Sequence, residues 1–485
     1  MNEEVRLLEP KPVWNKFVDL NAVPRPSKKE ERVIQFMLDF GNSLGLETLK
    51  DAVGNVIIRK PAAGLLNRPV VTLQSHLDMV HQKNADTDFD FDTQGIEMYI
   101  AGDWVKARGT TLGADNGLGV ATIMALLESK DIPHPPLEAL FTIDEETGMT
   151  GAMGLEGNVL QGKILLNLDT EEDDEIDIGC AGGIDVSASR NYNEKTIPRG
   201  VVAYVIKVMG LQGGHSGIDI HKGLGNANKI MNRLLYNGTE KYNIRISEID
   251  GGGLRNAVPR ESYAKIVVDK AHADSFKTDF QLWIKAIKDE LGPVEPELNI
   301  DCTLDKVPKK VMGLGAQEKF LKAIYAAKNG VYAMSTSIED LVETSNNIAR
   351  VAVKDGKITI GCLTRSSVNS AKMDLATSLK SVFELAGFEV QFGGDYPGWK
   401  PDPDSAILKV LEKRYTALFK EEPKVVACHA GLECGILGQN YPDMDMISFG
   451  PTIKGAHSPD ERVCISSVQK FWKFVLEVLK HIPEK

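Results

Sequence analysis

In the run Val70-Val-Thr-Leu-Gln-Ser-His-Leu-Asp-Met-Val80, a histidine and an aspartate stand two residues apart at the end of a β-branched apolar stretch. Such a stretch reads as a buried strand. On an extended chain a spacing of two puts both side chains on one face. His76 with Asp78 beside it suits a metal ligand and the carboxylate that orients its ring. The pair equally suits a buried histidine that has found a hydrogen-bonding aspartate. Further ligands at other strand ends would separate the two readings.

Four more such sites occur. Asp115 lies in the Gly-rich turn Thr110-Thr-Leu-Gly-Ala-Asp-Asn-Gly-Leu-Gly119, and Glu145 and Glu146 close Phe141-Thr-Ile-Asp-Glu-Glu-Thr-Gly148. Asp169 closes Ile164-Leu-Leu-Asn-Leu-Asp169, and His457 lies in Lys454-Gly-Ala-His-Ser-Pro459, soon after a C-terminal strand. Singly, each has a plainer reading. Asp115 fits a helix N-cap, the glutamates a solvated acidic turn, Asp169 the start of the acidic loop Glu171-Glu-Asp-Asp-Glu175, and His457 a surface loop. Together they are the residue types that zinc accepts, imidazoles and carboxylates, placed repeatedly at strand ends. Carboxylates gathered at one edge would also repel one another and raise their pKa values unless a cation lay among them.

The elements that must carry these residues alternate between strand and helix. Residues 12–48 have helical spacing, broken at Pro24-Arg-Pro26-Ser-Lys-Lys, with Ser27 a plausible N-cap for the second helix. Strands are predicted at 55–59, 70–75, 137–143 and 163–168, with a helix over 120–127. Residues 81–103 read as a polar loop or edge hairpin, and the Asp-rich 84–92 as solvated. This is an α/β pattern, whose functional groups gather at strand ends.

After Gly179-Cys-Ala-Gly-Gly183 the texture changes. The first of two βαββαβ-like passes has strand 201–209, a helix near 222–236, strands near 242–249 and 257–268, a helix near 274–291 and strand 296–303. The second has a helix near 316–328, strands near 346–354 and 356–364, a helix near 371–386 and strand 388–393. Two ferredoxin-like halves in succession account for both length and pattern. Past the Pro-rich hinge at 396–403, helix 404–419, strands at 424–427 and 444–449 and helix 465–481 resume the α/β texture. The expected domains are 1–186 and 395–485, forming one catalytic domain, with 187–394 inserted as an α+β lid.

With 485 residues, 26% charged and 42% apolar, the chain is too long for one core and ordinary for a globular protein. Its net charge of −12 argues against nucleic acid or an anionic membrane as the main partner. No apolar run is long enough to span a bilayer, and the start lacks a signal-peptide pattern. Six scattered cysteines with no Cys-x-x-Cys pair point to reduced thiols and a cytoplasmic location. Histidines 81, 134, 221, 272 and 481 are expected at surface or helix positions.

The set Ser-His76-Leu-Asp78, Gly-Ala-Asp115-Asn-Gly, Asp-Glu145-Glu146-Thr-Gly, Leu-Asp169-Thr-Glu and Gly-Ala-His457-Ser-Pro resembles the dinuclear zinc exopeptidases that include aminoacylase and carboxypeptidase G. The phrases Asn167-Leu-Asp-Thr-Glu-Glu172 and Ile178-Gly-Cys-Ala-Gly-Gly183, with the doubled lid, resemble its aminoacyl-histidine dipeptidase branch (peptidase D). The resemblance spans nearly the whole chain. It implies a three-layer α/β/α catalytic domain and two Zn2+, with Co2+ or Mn2+ as substitutes that the same ligands accept.

By the same resemblance, His76 and Asp169 hold one metal, Glu146 and His457 the other, and Asp115 bridges them. Asp78 holds the His76 ring, and Glu145 is the general base for a metal-activated water. His215, in Gly213-Gly-His-Ser-Gly217, resembles the lid histidine that faces the oxyanion. Asn256 and Arg365 resemble lid groups that grip a C-terminal carboxylate, a task that suits the planar fork of arginine. His429 and Glu433, in Cys428-His-Ala-Gly-Leu-Glu433, lie where relatives contact the substrate near its N-terminal residue, and plain structural roles stand beside that one. The implied substrates are small peptides, Xaa-His dipeptides such as β-alanyl-histidine among them. The alternatives are an N-acyl amino acid deacylase, a tripeptidase, or an inactive metal-stabilised binding protein. A duplicated lid is compatible with a self-sufficient monomer and with a homodimer.

Overall fold

The computed structural model describes residues 2–484. The chain forms two compact units. One comprises the residues up to Gly179, Trp399–Ala427 and those from Leu432 onward; the other comprises Cys180–Gly398 and Cys428–Gly431.

The first unit is built on an eight-stranded sheet. Its order is Glu47–Lys50, Val56–Lys60, Leu137–Thr142, Val71–His76, Ile164–Asn167, Asp445–Ser448, Glu175–Cys180 and Lys424–Cys428. The four strands from Leu137–Thr142 to Asp445–Ser448 are parallel. Their C-terminal ends therefore meet one edge of the sheet, where α/β proteins place their chemistry. Every residue of Val71–His76, Leu137–Thr142 and Ile164–Asn167 is buried, as strands covered on both faces must be.

On one face Ile57, Leu140, Leu165 and Met446 pack with Leu155, Leu160, Ile436 and Leu437. On the other lies the helix Ala114–Glu128, whose residues from Asn116 to Leu127 are all buried. It is backed in turn by the helix Lys11–Asn21. Gly119 sets how closely that helix approaches: a Cβ there would lie 2.3 Å from Ser75 Oγ and 2.6 Å from the Leu168 carbonyl oxygen. The terminal helix Ile465–Lys480 buries Val468, Phe471, Val475, Val478 and Leu479, one apolar stripe at helical spacing.

A small antiparallel sheet orders Ile453–Lys454, Arg462–Cys464, Trp104–Ala107 and Met98–Ala101. The segment 81–103 thus ends in a hairpin. The Asp-rich stretch before it is mostly exposed, while Phe89 and Phe91 fold back onto the core.

Two local expectations give way. The second helix starts at Glu31, so Ser27 lies too far upstream to cap it; its hydroxyl donates to Asp78 instead, at 2.8 Å. His134 is fully buried, and its backbone pairs with Ala63 in an isolated bridge.

The second unit holds a nine-stranded sheet. Eight strands run in the order Asn299–Asp305, Val201–Met209, Ser262–Asp269, Arg245–Gly252, Val342–Lys354, Lys357–Ser366, Gly182–Asn191 and Glu389–Tyr396, and Gly330–Met334 pairs outside that path with Val342–Lys354. The first four strands, with helices Ala227–Tyr242 and Ala273–Leu291, form one ferredoxin-like half. The last four, with helices Leu314–Ala326 and Asn369–Leu385, form another of mirrored strand order. The halves join edge to edge through Arg245–Gly252 and Val342–Lys354.

The halves are nested rather than successive. The first strand of the second half is Gly182–Asn191, which precedes the whole first half in the chain and pairs with Lys357–Ser366 and Glu389–Tyr396. The expected boundary at 186/187 falls inside this strand.

Candidate functional site

Each candidate residue of the first unit owes its place to a strand end or to a tight turn after one. His76 ends its strand and is 1% exposed, and Asp78 two residues on is fully buried. One Asp78 oxygen lies 3.4 Å from His76 Nδ1. The same carboxylate accepts the backbone N–H groups of Glu145 (3.0 Å) and Glu146 (3.3 Å). Those amides point at it because Asp144 takes a left-handed conformation (φ 52°) that turns the chain after strand Leu137–Thr142. Asp78 thereby ties two strand ends together.

Asp115 is no N-cap. Gly113 holds that place, and the dihedrals of Asp115 are non-helical. Its carboxylate faces two imidazoles, with Oδ1 3.1 Å from His76 Nε2 and Oδ2 3.2 Å from His457 Nε2. His457 sits at the tip of the hairpin between Ile453–Lys454 and Arg462–Cys464, and its Nε2 is also 3.0 Å from Glu146 Oε2. Asp169 places Oδ1 3.6 Å from His76 Nε2. It is steadied by Asn116, whose side-chain N–H groups donate to Asp169 and to the Leu168 carbonyl.

Two donor groups follow, with all ligand atoms of each within 4.8 Å: His76, Asp115 and Asp169, and Asp115, Glu146 and His457. Asp115 belongs to both. A third group contains His76, Glu145 and Glu146, so Glu145 is within reach of the same space. A fourth, Glu30, Asp78 and Asp144, is wholly buried and already engaged. There the Thr147 and Thr150 hydroxyls donate to Asp144, and Ser27 and the two glutamate amides donate to Asp78.

Burial and mutual repulsion act against ionisation of most of these acids. Burial, then the neighbouring acids Asp115, Glu433 and Glu146, lift Asp169 to about 8 despite His76. Burial, aided by Asp169, Glu146 and Glu433, raises Glu145 well above the usual carboxylate range. Burial and Asp115 raise Glu146. Glu171, beside the same acids, is lifted to about 8, chiefly by burial.

The imidazoles are held as cations. Hydrogen bonds to Asp115 and Glu146 lift His457 to about 11. Burial opposes charge on His76, but Asp169, Asp115 and Asp78 outweigh it and raise its pKa well above the ordinary value. Asp115 is held below the usual range, its burial overcome by those two rings. Glu146 Oε1 is buried with no hydrogen-bond partner among the described residues. A donor set of two imidazoles and three carboxylates with an orphaned oxygen fits divalent cations.

Glu433 is fully buried in this unit. One oxygen accepts from Gln74 Nε2 and Thr142 Oγ1, both at 2.6 Å, and the other has no hydrogen-bond partner among the described residues. Burial lifts it to about 7.

The second unit brings its own candidates together. His215 Nδ1 accepts the backbone N–H groups of Gly217 (3.2 Å) and Ile218 (3.1 Å), so the ring proton of the neutral imidazole resides on Nε2. Arg365 Nη2 is 3.5 Å from that Nε2, its Nη1 donates to Tyr396 Oη at 2.8 Å, and its buried Nε has no partner among the described residues. Two donors that face each other in this way suit an anion between them. Ser216 N–H donates to the Asn256 carbonyl at 2.8 Å, which puts the exposed Asn256 turn beside His215. His429 lies 2.8 Å from Ser345 Oγ through Nε2, and burial, then Arg365 and His215, press its pKa down to about 3. It is a neutral ring.

Ser27, expected as a cap, instead supports Asp78, and residues that the sequence pattern did not mark complete the centre: Asn116 on Asp169, and Arg25 and Glu461 around the Asp115 turn. Apart from the Asn21 side chain on Arg25, these two bind backbone groups, which leave no mark in residue pattern.

The chain is similar to several known proteins. It is 44% identical to the cytosol non-specific dipeptidase of Escherichia coli K12, over 99% of this chain and all of that protein. The crystal structure of aminoacylhistidine dipeptidase from Vibrio alginolyticus superposes with a TM-score of 0.93 at 44% identity, over 100% of this chain and 99% of that one. The aminopeptidase PepT from Bacillus cereus shares the fold, with a TM-score of 0.58 at 16% identity over 98% of this chain and 99% of that one. The model of Peptidase family M20/M25/M40 matches residues 72–481, a span that includes all five of the convergent metal-ligand candidates. This chain belongs to the M20/M25/M40 peptidase family.

Proposed function

We propose that the chain is a metal-dependent dipeptidase acting on Xaa-His and other short dipeptides, β-alanyl-histidine among them, with two Zn2+ as the resident ions. The single observation that supports this reading most is the shared carboxylate of Asp115, set between two imidazoles from opposite ends of the chain. His76 and Asp169 would hold one ion, Glu146 and His457 the other, with Asp115 common to both. Bound there, two divalent cations supply a water acidic enough to attack at neutral pH and a Lewis acid for the carbonyl oxygen.

The protein's own groups account for the rest. Asp78 fixes the His76 ring and, through the Glu145 backbone N–H, the turn that would carry the base. Glu145 takes the proton as the peptide carbonyl is attacked and returns it to the leaving amine. His215, with its proton on Nε2, is the donor proposed for the developing oxyanion. Arg365, with Asn256, is proposed to read the substrate's C-terminal carboxylate. Glu433 is proposed to answer the substrate's ammonium through its unpartnered oxygen, and His429 to line that end as a neutral ring.

A cytosolic setting is supported by the E. coli relative, a cytosol dipeptidase by name. Among the described residues no helix is long and apolar enough to cross a membrane. The duplicated second unit is compatible with a monomer that needs no partner's lid, and with a homodimer.

Hydrolysis of β-alanyl-histidine, a tripeptide and an N-acetyl amino acid, each with and without chelator, tests the reading. Chelator-sensitive cleavage of the dipeptide ahead of the other two is expected. Preference for the tripeptide or the acetylated substrate would move the chain to a tripeptidase or deacylase. No chelator-sensitive cleavage of any would favour a metal-stabilised binding protein.

A further inference from the structure

Two buried, oppositely charged side chains grip the turn that carries Asp115. The Glu461 side chain, in a residue only 2% exposed, accepts four successive backbone N–H groups: Leu112 (2.7 Å) and Gly113 (3.0 Å) on one oxygen, Ala114 (2.7 Å) and Asp115 (3.2 Å) on the other. Arg25, 1% exposed, works on the carbonyl side of the same turn. Its Nη2 donates to Gly113 O at 2.6 Å, and its Nη1 to Leu77 O (3.0 Å) and Asp78 O (3.2 Å). Gly113 is what lets the guanidinium in: it has φ 67°, and a Cβ would lie 2.5 Å from Arg25 Nη2.

The two grips join three separate stretches of chain. Glu461 lies four residues after His457, in the same hairpin loop, and it holds the Asp115 turn from there. Arg25 links that turn to the residues just past His76. A small displacement of the turn would move Asp115 relative to both imidazoles at once, since it stands about 3 Å from each.

We infer that Glu461 is a positioning residue for the metal centre: from the His457 loop it holds the Asp115 turn in the register at which one carboxylate serves two cations. The inference rests on the reading of Asp115 and His457 as metal-holding groups. Arg25 supplies the opposing grip and the positive charge that accompanies Glu461 in the interior. A carboxylate suits this grip because both its oxygens accept, two N–H donors on each, whereas an amide would set its own N–H2 against two of them.

The test compares the metal-stripped wild type with Glu461→Gln and Glu461→Asp. Zn2+ binding is followed by titration calorimetry, and the visible absorption spectrum of the Co2+-loaded protein reports ligand geometry. Glu461→Gln is expected to weaken Zn2+ binding by about 10–100-fold, as loss of a group that orients a ligand typically does, and to alter the Co2+ bands. Glu461→Asp, with the charge kept and the reach shortened, should fall between Gln and wild type. Should the glutamine variant fail to fold, the aspartate variant shows the same change in smaller measure. A variant that melts at lower temperature but keeps wild-type Zn2+ affinity and Co2+ spectrum would reduce Glu461 to a structural brace and overturn the inference, while the metal reading stands. Wild-type protein that binds no Zn2+ would overturn both.

Discussion

At the scale of single residues, Glu145 on one hand and His457 with Asp169 on the other make separable predictions. Glu145 is tethered through its backbone to Asp78, so replacement of its carboxylate by an amide should leave the donor groups around Asp115 intact. Glu145→Gln is expected to keep its metal content by elemental analysis and to lose about 10²–10⁴-fold in kcat. His457 and Asp169 predict proton release. In the metal-free chain His457 is lifted to about 11, by hydrogen bonds to Asp115 and Glu146, and Asp169 to about 8, chiefly by burial. At pH 7 both therefore carry protons that an incoming cation must displace. Because their pKa values lie above the working pH, raising the pH removes the competing protons, and metal affinity should climb from pH 6 towards pH 8. Calorimetry in buffers of different ionisation enthalpy would measure the release; a proton count near zero would contradict it.

At the scale of elements, the distance between the helix Ala114–Glu128 and the central sheet sets where Asp115 can stand. Gly119 lets the helix come close enough for Ser75 Oγ and the Leu168 carbonyl to fill the place of a Cβ. Gly119→Ala should cost about 1–3 kcal/mol through overpacking and lower both the melting midpoint and metal affinity. If only the midpoint falls, the helix and the site are uncoupled.

The five ligand candidates were legible in the sequence because each follows an apolar run or sits in a Gly-rich turn, and strand ends converge in a parallel sheet. Arg25 and Glu461 were not, because apart from the Asn21 side chain on Arg25 their partners are amides and carbonyls that every residue possesses. Strand Gly182–Asn191 was hidden for a related reason. It begins in a Gly-Gly pair and finds its neighbours at Lys357–Ser366 and Glu389–Tyr396, across a complete intervening half. Local pattern identifies a strand, whereas the pairing of strands so far apart is a tertiary choice.

At the scale of the whole molecule, all five metal candidates belong to the unit that begins and ends the chain, and none to the other. Each unit has its own core. Metal should therefore stabilise them unequally. With free Zn2+ at a hundred times its Kd, about 2.7 kcal/mol is added to whatever folds around it. Calorimetric melting with and without chelator is expected to shift one transition and leave a second in place; a single transition that moves as one would show the units unfolding together.

The nesting of the two ferredoxin-like halves also sets an order of events during synthesis. Strand Gly182–Asn191 leaves the ribosome before the first half, yet its sheet neighbours are not made until the chain reaches Lys357–Ser366. At bacterial and eukaryotic elongation speeds that gap is on the order of ten to thirty seconds. Once Asn299–Asp305 has been made, the intervening half has every strand and helix it needs, so it can close first and present a finished edge, at Arg245–Gly252, on which Val342–Lys354 and then the remainder of the sheet are laid.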